Sequence, residues 1–188
     1  MAATRIAWST APLDRHGRRA VAWRMLRTML TAEGYPDATL SNPCPRCGGP
    51  HGPIQVAGAP WSASVTYAGA VAVAAVHPRV GGDSEAPTGF AIDAEPLVDT
   101  VRDAAGGVPG GLLRWVRAEA AAKAVGRGLR LDVDEISVTE TSEGWTALLP
   151  GIPVAVTGWE PAVSPPGVLL SVALAPAAAV APAHRAMP

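Results

Sequence analysis

The chain has 188 residues, 48% of them hydrophobic and 16% charged, against roughly 25% charged in an average soluble domain, which excludes disorder as its main state. A fold of this length buries roughly 70% of its extended surface, enough for a core in one or two small domains without a disulfide framework or an obligatory structural metal. Fifteen basic against sixteen acidic residues give a formal charge of −1, which excludes a global attraction for nucleic acid and makes any phosphate site local.

Taken in chain order, residues 18–32 predict an amphipathic helix, because Val21, Met25, Thr28 and Met29 recur at three- and four-residue spacing while Arg18, Arg19, Arg24 and Arg27 form a basic face. Residues 41–60 carry P-C-P-R-C-G-G-P-H-G-P, which cannot propagate a helix and predicts successive turns. Two strands follow at 61–67 and 70–77, joined by a turn at 67–69; the apolar continuity of the second predicts burial on both faces. Residues 80–85 read as a short extended segment. From 87 to 111 the chain reads as a linker or loop, with one helix around 96–105.

Residues 112–125 form the strongest helical pattern, rich in Ala, Leu, Arg and Glu and stopped by Gly126. Strands at 135–141, 145–149, 154–159 and 168–174, separated by Gly, Pro and Ser-Glu-Gly, predict an antiparallel sheet. The Ala/Pro stretch beyond Pro176 reads as a frayed tail. The apolar run from Ala68 to Val76 is far short of the roughly 20 residues a membrane helix needs. Arg5 and Trp8 interrupt any signal-like start. Cys44 and Cys47 are too close in sequence for a useful structural cross-link, and a reducing compartment is the simpler reading. A cytoplasmic protein, with no membrane and no nucleic acid among its partners, is the expectation.

Asp83 and Glu85 lie two apart on a segment read as extended, so both carboxylates fall on one side and can converge on one cation. Glu119 and Lys123 are four apart on the predicted helix and share a face. A solvated strand end and an ordinary helical ion pair are the plainer readings of these pairs. Lys123 is the single lysine among fifteen basic residues, a compact charge of tunable pKa where the chain otherwise uses Arg.

The order of these pieces resembles the Sfp-type 4'-phosphopantetheinyl transferase family. The matching stretches are S-V-T-Y-A-G, an apolar strand, V-G-G-D-S-E, then W-V-R-A-E-A-A-A-K-A-V-G-R-G-L and L-D-V-D-E-I-S-V. Family members show a Ser-His-Ser strand, a G-(I/V)-D-x-E motif, a W-x-x-K-E-x-x-x-K helix followed by G-x-G-L, and a strand ending in S-V. The segment C-P-R-C-G-G-P-H-G-P also looks like the C-x-x-C-G-x-x-H-G-K-P loop of actinobacterial members. The resemblance runs from about Cys44 to Pro176.

It implies an α+β fold, a 4'-phosphopantetheinyl transferase-like pseudo-dimer of two similar halves, each a helix packed on a small antiparallel sheet. The halves would be residues 1–86 and 87–176, with 177–188 as a disordered tail. It implies transfer of 4'-phosphopantetheine from coenzyme A to a serine of an acyl or peptidyl carrier protein by a monomer. Asp83, Glu85 and Glu119 would hold Mg²⁺, with Glu119 also the general base and Lys123 on the phosphate under attack. Arg18, Arg19, Arg46, His51, Gly52, Thr66, Tyr67 and Lys123 would bind coenzyme A.

Tyr67 stands where the strand's His is usual, Ala118 where a Lys often precedes the Glu, and Pro53 directly follows Gly52 in place of the loop's Lys; Arg46, Arg117 or the first helix would then supply positive charge. The alternative is a noncatalytic relative that binds a carrier domain or a nucleotide. Cys44, Cys47 and His51 form C-x2-C-x3-H, which also resembles part of a zinc site. With no fourth ligand nearby, the favoured reading is a turn-rich loop lying against the adenine or 3'-phosphate end of the cofactor.

Overall fold

The computed structural model describes residues 3–79, 89–128, 131–176 and 179. The segment 80–85, with Asp83 and Glu85, and nearly all of the expected tail lie outside them. Ala179 is described and packs into the core.

The architecture is α+β with antiparallel sheets. Strand β1 (Arg5–Thr10) precedes helix α1 (Arg15–Ala32), then the short pair β2 (Thr39–Ser41) and β3 (Gln55–Ala57), and the hairpin β4 (Trp61–Ala68) and β5 (Val71–Pro78). Strand β6 (Gly89–Pro96), helices α2 (Thr100–Ala104) and α3 (Leu112–Ala124), and strands β7 (Ser137–Thr141), β8 (Gly144–Leu148), β9 (Val156–Trp159) and β10 (Val168–Ala175) complete it. One sheet has the order β1-β5-β4, a second β6-β10-β9-β8-β7, and β2-β3 stand apart.

The period of two along β5 explains the layering. Ala72, Ala74 and Val76 face α1, while Val73 and Ala75 face the second sheet, and all five are fully buried. Phe90, Ile92 and Ala94 of β6 and Val168, Leu170 and Val172 of β10 fill the space between the sheets. The other face of the second sheet, with Ala91, Ala173, Ala175, Trp145 and Val156, carries α3. Burial on both faces of β5 is thus as its apolar continuity predicts. His77 at the strand's end is locally satisfied, stacked on Phe90 with Nδ1 2.9 Å from Thr4 Oγ1.

Helix α1 starts three residues before its expected position, where the Asp14 carboxylate accepts from Gly17 N–H. Its buried stripe is Ala22, Leu26 and Leu30, one position on from the Met25/Met29 line, which lies at the flank. Truncating a core leucine such as Leu26 typically costs about 2–5 kcal/mol. Helix α3 presents Ala118, Ala120, Ala121, Ala122 and Ala124, all buried, so its backbone lies close on the sheet. A Cβ at Gly89 would collide with the Ala124 carbonyl oxygen.

Two expectations need correction. The stretch read as a linker with a helix at 96–105 holds strand β6, paired along its whole length with β10 from Gly89↔Ala175 to Pro96↔Val168, and helix α2 only at Thr100–Ala104. The strand expected from Glu135 begins at Ser137, after a 3-10 turn at Val133–Glu135. Strand β1 carried no expectation; it pairs with β5 and closes the first sheet. No helix among the described residues is long and apolar enough to cross a membrane.

Candidate functional site

Strands β4 and β6 lie side by side where the sheets meet, and side chains tie the seam. Ile92 N–H donates to Ser64 Oγ at 3.1 Å, and Thr66 Oγ1 donates to Asp93 Oδ1 at 3.2 Å. Alternation along β6 turns Ala91, Asp93 and Glu95 toward α3, away from Phe90, Ile92 and Ala94. Asp93 is therefore a carboxylate in the core, 4% exposed. Its Oδ1 takes the ammonium of Lys123 as well as Thr66, while its Oδ2 is buried with no partner among the described residues. Burial raises its pKa above the ordinary carboxylate value despite Lys123 and Thr66.

Glu119, one helical turn before Lys123 on α3, is buried as well. Its carboxyl is pushed up by desolvation and further by the charge of Asp93. The Glu95 carboxyl is raised by the same two causes. The charge of Asp93 thus raises both neighbouring carboxyls while Lys123 lowers all three. Among the described residues the oxygens of Asp93, Glu95 and Glu119 do not all gather within 4.8 Å of one another. An orphaned buried carboxylate oxygen fits a hard-cation ligand, since Mg²⁺ takes carboxylate oxygens and keeps waters and substrate phosphate for its remaining positions.

The Asp-x-Glu pair on this face is Asp93/Glu95, which sequence reasoning passed over in favour of Asp83/Glu85, outside the described residues. A signal was available: Ile92-Asp93-Ala94-Glu95 keeps a branched residue directly before the Asp, and Gly82-Asp83-Ser84-Glu85 does not.

On the other side of β4, Val65 and Tyr67 look into a cleft of about 210 Å³. Arg15, Arg18, Arg19 and Trp23 of α1 and Asn42, Pro50, His51, Gly52 and Ile54 of the Cys/His loop form its walls. Arg18 lies 4.8 Å over the Tyr67 ring and Arg19 4.6 Å over the Trp23 ring. Arg19 also donates to Pro50 O at 2.5 Å and Asn42 Oδ1 at 2.7 Å, tying helix to loop. Among the described residues no carboxylate forms an ion pair with Arg15, Arg18 or Arg19. Uncompensated guanidinium groups around a cavity make an anion site. Burial raises the Tyr67 phenol, so it is a neutral donor at neutral pH.

Of the residues expected to bind cofactor, Arg18, Arg19, His51, Gly52 and Tyr67 meet in this cleft. Thr66 points the other way, onto Asp93. Arg46 is exposed on its loop and Lys123 belongs to the carboxylate group. Arg117 is not a spare cation. Only 8% exposed, it grips Glu160 with two 2.9 Å bonds and reaches Glu140 at 3.1 Å. Ser171 extends this network, donating to Glu160 and accepting from Trp145 Nε1.

Gly52 has a backbone reason to be glycine, since a Cβ there would collide with the Pro43 carbonyl oxygen. In the same loop Cys44 N–H donates to Gly49 O and Gly48 N–H returns to Cys44 O, both at 2.8 Å. The backbone N–H groups of Arg46 and Cys47 lower the Cys44 thiol to about 7.

Comparison with protein-family models finds none that matches the chain, and no curated protein matches it.

Proposed function

We propose that the protein transfers the 4'-phosphopantetheine arm of coenzyme A to a serine hydroxyl of an acyl or peptidyl carrier protein, with Mg²⁺ as cofactor. The observation that carries this reading is the buried Asp93 carboxylate with its unpartnered Oδ2, beside Glu119 and Lys123. Neighbouring buried carboxylates that share one ammonium cost stability unless a proton or a further cation completes them, and a further cation is the reading we take. The ordered motifs of the sequence name the reaction class, and the arginine-lined cleft across β4 suits the charged end of a nucleotide cofactor. The two-half transferase architecture belongs to the same proposal, with α1 on the first sheet and α3 on the second as its support.

Asp93, Glu95 and Glu119 would swing together from their present spacing to hold the Mg²⁺, which would supply charge neutralisation on the diphosphate. The remaining chemistry falls to the chain. Arg18 and Arg19 bind the phosphate at the adenosine end, and Tyr67 donates a hydrogen bond there. Glu119, whose raised pKa makes it a better base than an ordinary carboxylate, takes the proton of the carrier serine. The serine oxygen bonds to the phosphorus that carries the pantetheine arm; the P–O bond to the nucleotide breaks, and adenosine 3',5'-bisphosphate departs with the electron pair. Lys123, whose ammonium now lies on Asp93, would steady the charge on the transferred phosphoryl group.

The test incubates the protein with an apo carrier protein, coenzyme A and Mg²⁺. Release of adenosine 3',5'-bisphosphate and a carrier heavier by one arm support the transferase. Coenzyme A binding with no change in carrier mass would identify the noncatalytic relative.

A further inference from the structure

Cys44, Cys47 and His51 are, among the described residues, the group of three potential metal ligands whose donor atoms gather within 4.8 Å of one another. They stand apart from the carboxylate group, and of the three only His51 also lines the arginine-walled cleft. They stand on the loop between β2 and β3, and the backbone of that loop is folded to present them. Cys44 N–H and O are both engaged across the turn, His51 N–H donates to Gly49 O at 2.9 Å, and Gly52 N–H closes the loop onto Asn42 O at 2.9 Å.

The spacing fits one ion. Tetrahedral zinc with Zn–S of about 2.3 Å and Zn–N of about 2.0–2.1 Å sets an S···N edge of about 3.6 Å. Cys47 Sγ and His51 Nε2 stand 3.5 Å apart. Two sulfurs and an imidazole are soft and borderline donors, which favour zinc over magnesium or calcium.

We propose that Cys44, Cys47 and His51 bind one Zn²⁺, with the fourth position open to water, and that this ion pins the loop forming one wall of the arginine-lined cleft. The loop carries Asn42 and Pro50, the acceptors of Arg19, as well as His51 and Gly52 of the cleft wall. The ion therefore holds the ground against which α1 sets its guanidinium groups. This site is read from the loop's geometry alone and stands whether or not the protein transfers phosphopantetheine.

The test uses the full chain, purified under reducing conditions without chelator, with metal content measured by mass spectrometry and Co²⁺ titrated into the metal-free protein. The expected result is about one zinc per chain and, with Co²⁺, thiolate charge-transfer absorption with the visible bands of a tetrahedral ion. Cys44→Ser, Cys47→Ser and His51→Ala should each weaken binding by at least roughly 10–100-fold, the range that loss of even an outer contact costs. Their circular dichroism should stay unchanged, because Cys47 and His51 are exposed and Cys44 is only half-buried. Absence of stoichiometric metal and of cobalt–thiolate absorption would overturn the proposal, leaving the 3.5 Å contact as a thiol–imidazole hydrogen bond. Cobalt bands that persist in Cys47→Ser would overturn it equally.

Discussion

Asp93→Asn separates a structural ion pair from a cation site. If Asp93 served only to hold Lys123, removing one partner of a buried pair would cost about 3–5 kcal/mol. The surroundings predict less. The Lys123 side chain is 36% exposed, so its ammonium can turn to water once the carboxylate is gone. The buried Oδ2 has no partner, and an unsatisfied buried polar group costs about 1–3 kcal/mol, more when charged; the neutral amide relieves the excess due to charge. The lost hydrogen bond to a charged group is worth about 1.5–3 kcal/mol. The two effects nearly offset, and relief of repulsion on Glu119 and Glu95 adds to the gain. Urea denaturation of the metal-free protein, followed by tryptophan fluorescence, should therefore place the variant within about 2 kcal/mol of wild type. Carrier modification should fall by at least roughly 100-fold. A stability loss above about 3 kcal/mol with turnover intact would refute the reasoning and make Asp93 a structural partner of Lys123.

Glu119→Gln keeps the shape of the buried side chain and should abolish the carrier mass shift with an unchanged circular dichroism spectrum; full turnover would remove Glu119 as base. Arg18→Ala should raise KM for coenzyme A by about tenfold, the worth of one charge-assisted bond, with kcat little altered; an unchanged KM would take the cleft out of cofactor binding. Arg117→Met should destabilise by about 2–3 kcal/mol in urea, because Glu160 loses its two-bond partner; a neutral effect would deny the network its structural role. The raised pKa values of Asp93 and Glu119 mean that the folded state holds more protons than the unfolded chain between the ordinary carboxylate range and the raised values. Stability from these groups is present below that window and is lost as pH rises through it. Wild type should thus lose Tm relative to Asp93→Asn as pH rises, while the Tm gain from Mg²⁺ grows; a Mg²⁺ effect independent of pH would contradict this.

Where periodicity and packing agreed, the fold was legible. Residues 112–125 and the hairpin at 61–77 came through because propensity and burial point the same way there. Strand β6 did not, for a physical reason. Its apolar run ends at Ile92, and Asp93 and Glu95 then occupy the face that packs against α3, where a sequence pattern calls for apolar residues. The residue that breaks the local rule is the one the candidate site needs, and it hid the strand that carries it. The α1 stripe was displaced by one position because small Ala22 lets the helix sit close on Ala72, and size complementarity of that kind is not visible in one strand of sequence. Arg117 and Arg18 look alike in the sequence. Only the fold places Glu160 and Glu140 beside one and leaves the other facing a cleft.

The central claim, that buried carboxylates of β6 and α3 form a divalent-cation site serving a bound diphosphate, is tested most directly by calorimetric titration of Mg²⁺ with and without coenzyme A. The account predicts one ion per chain, bound more tightly when coenzyme A is present and lost in Asp93→Asn. Equal Mg²⁺ binding by wild type and Asp93→Asn, or none by either, would contradict it.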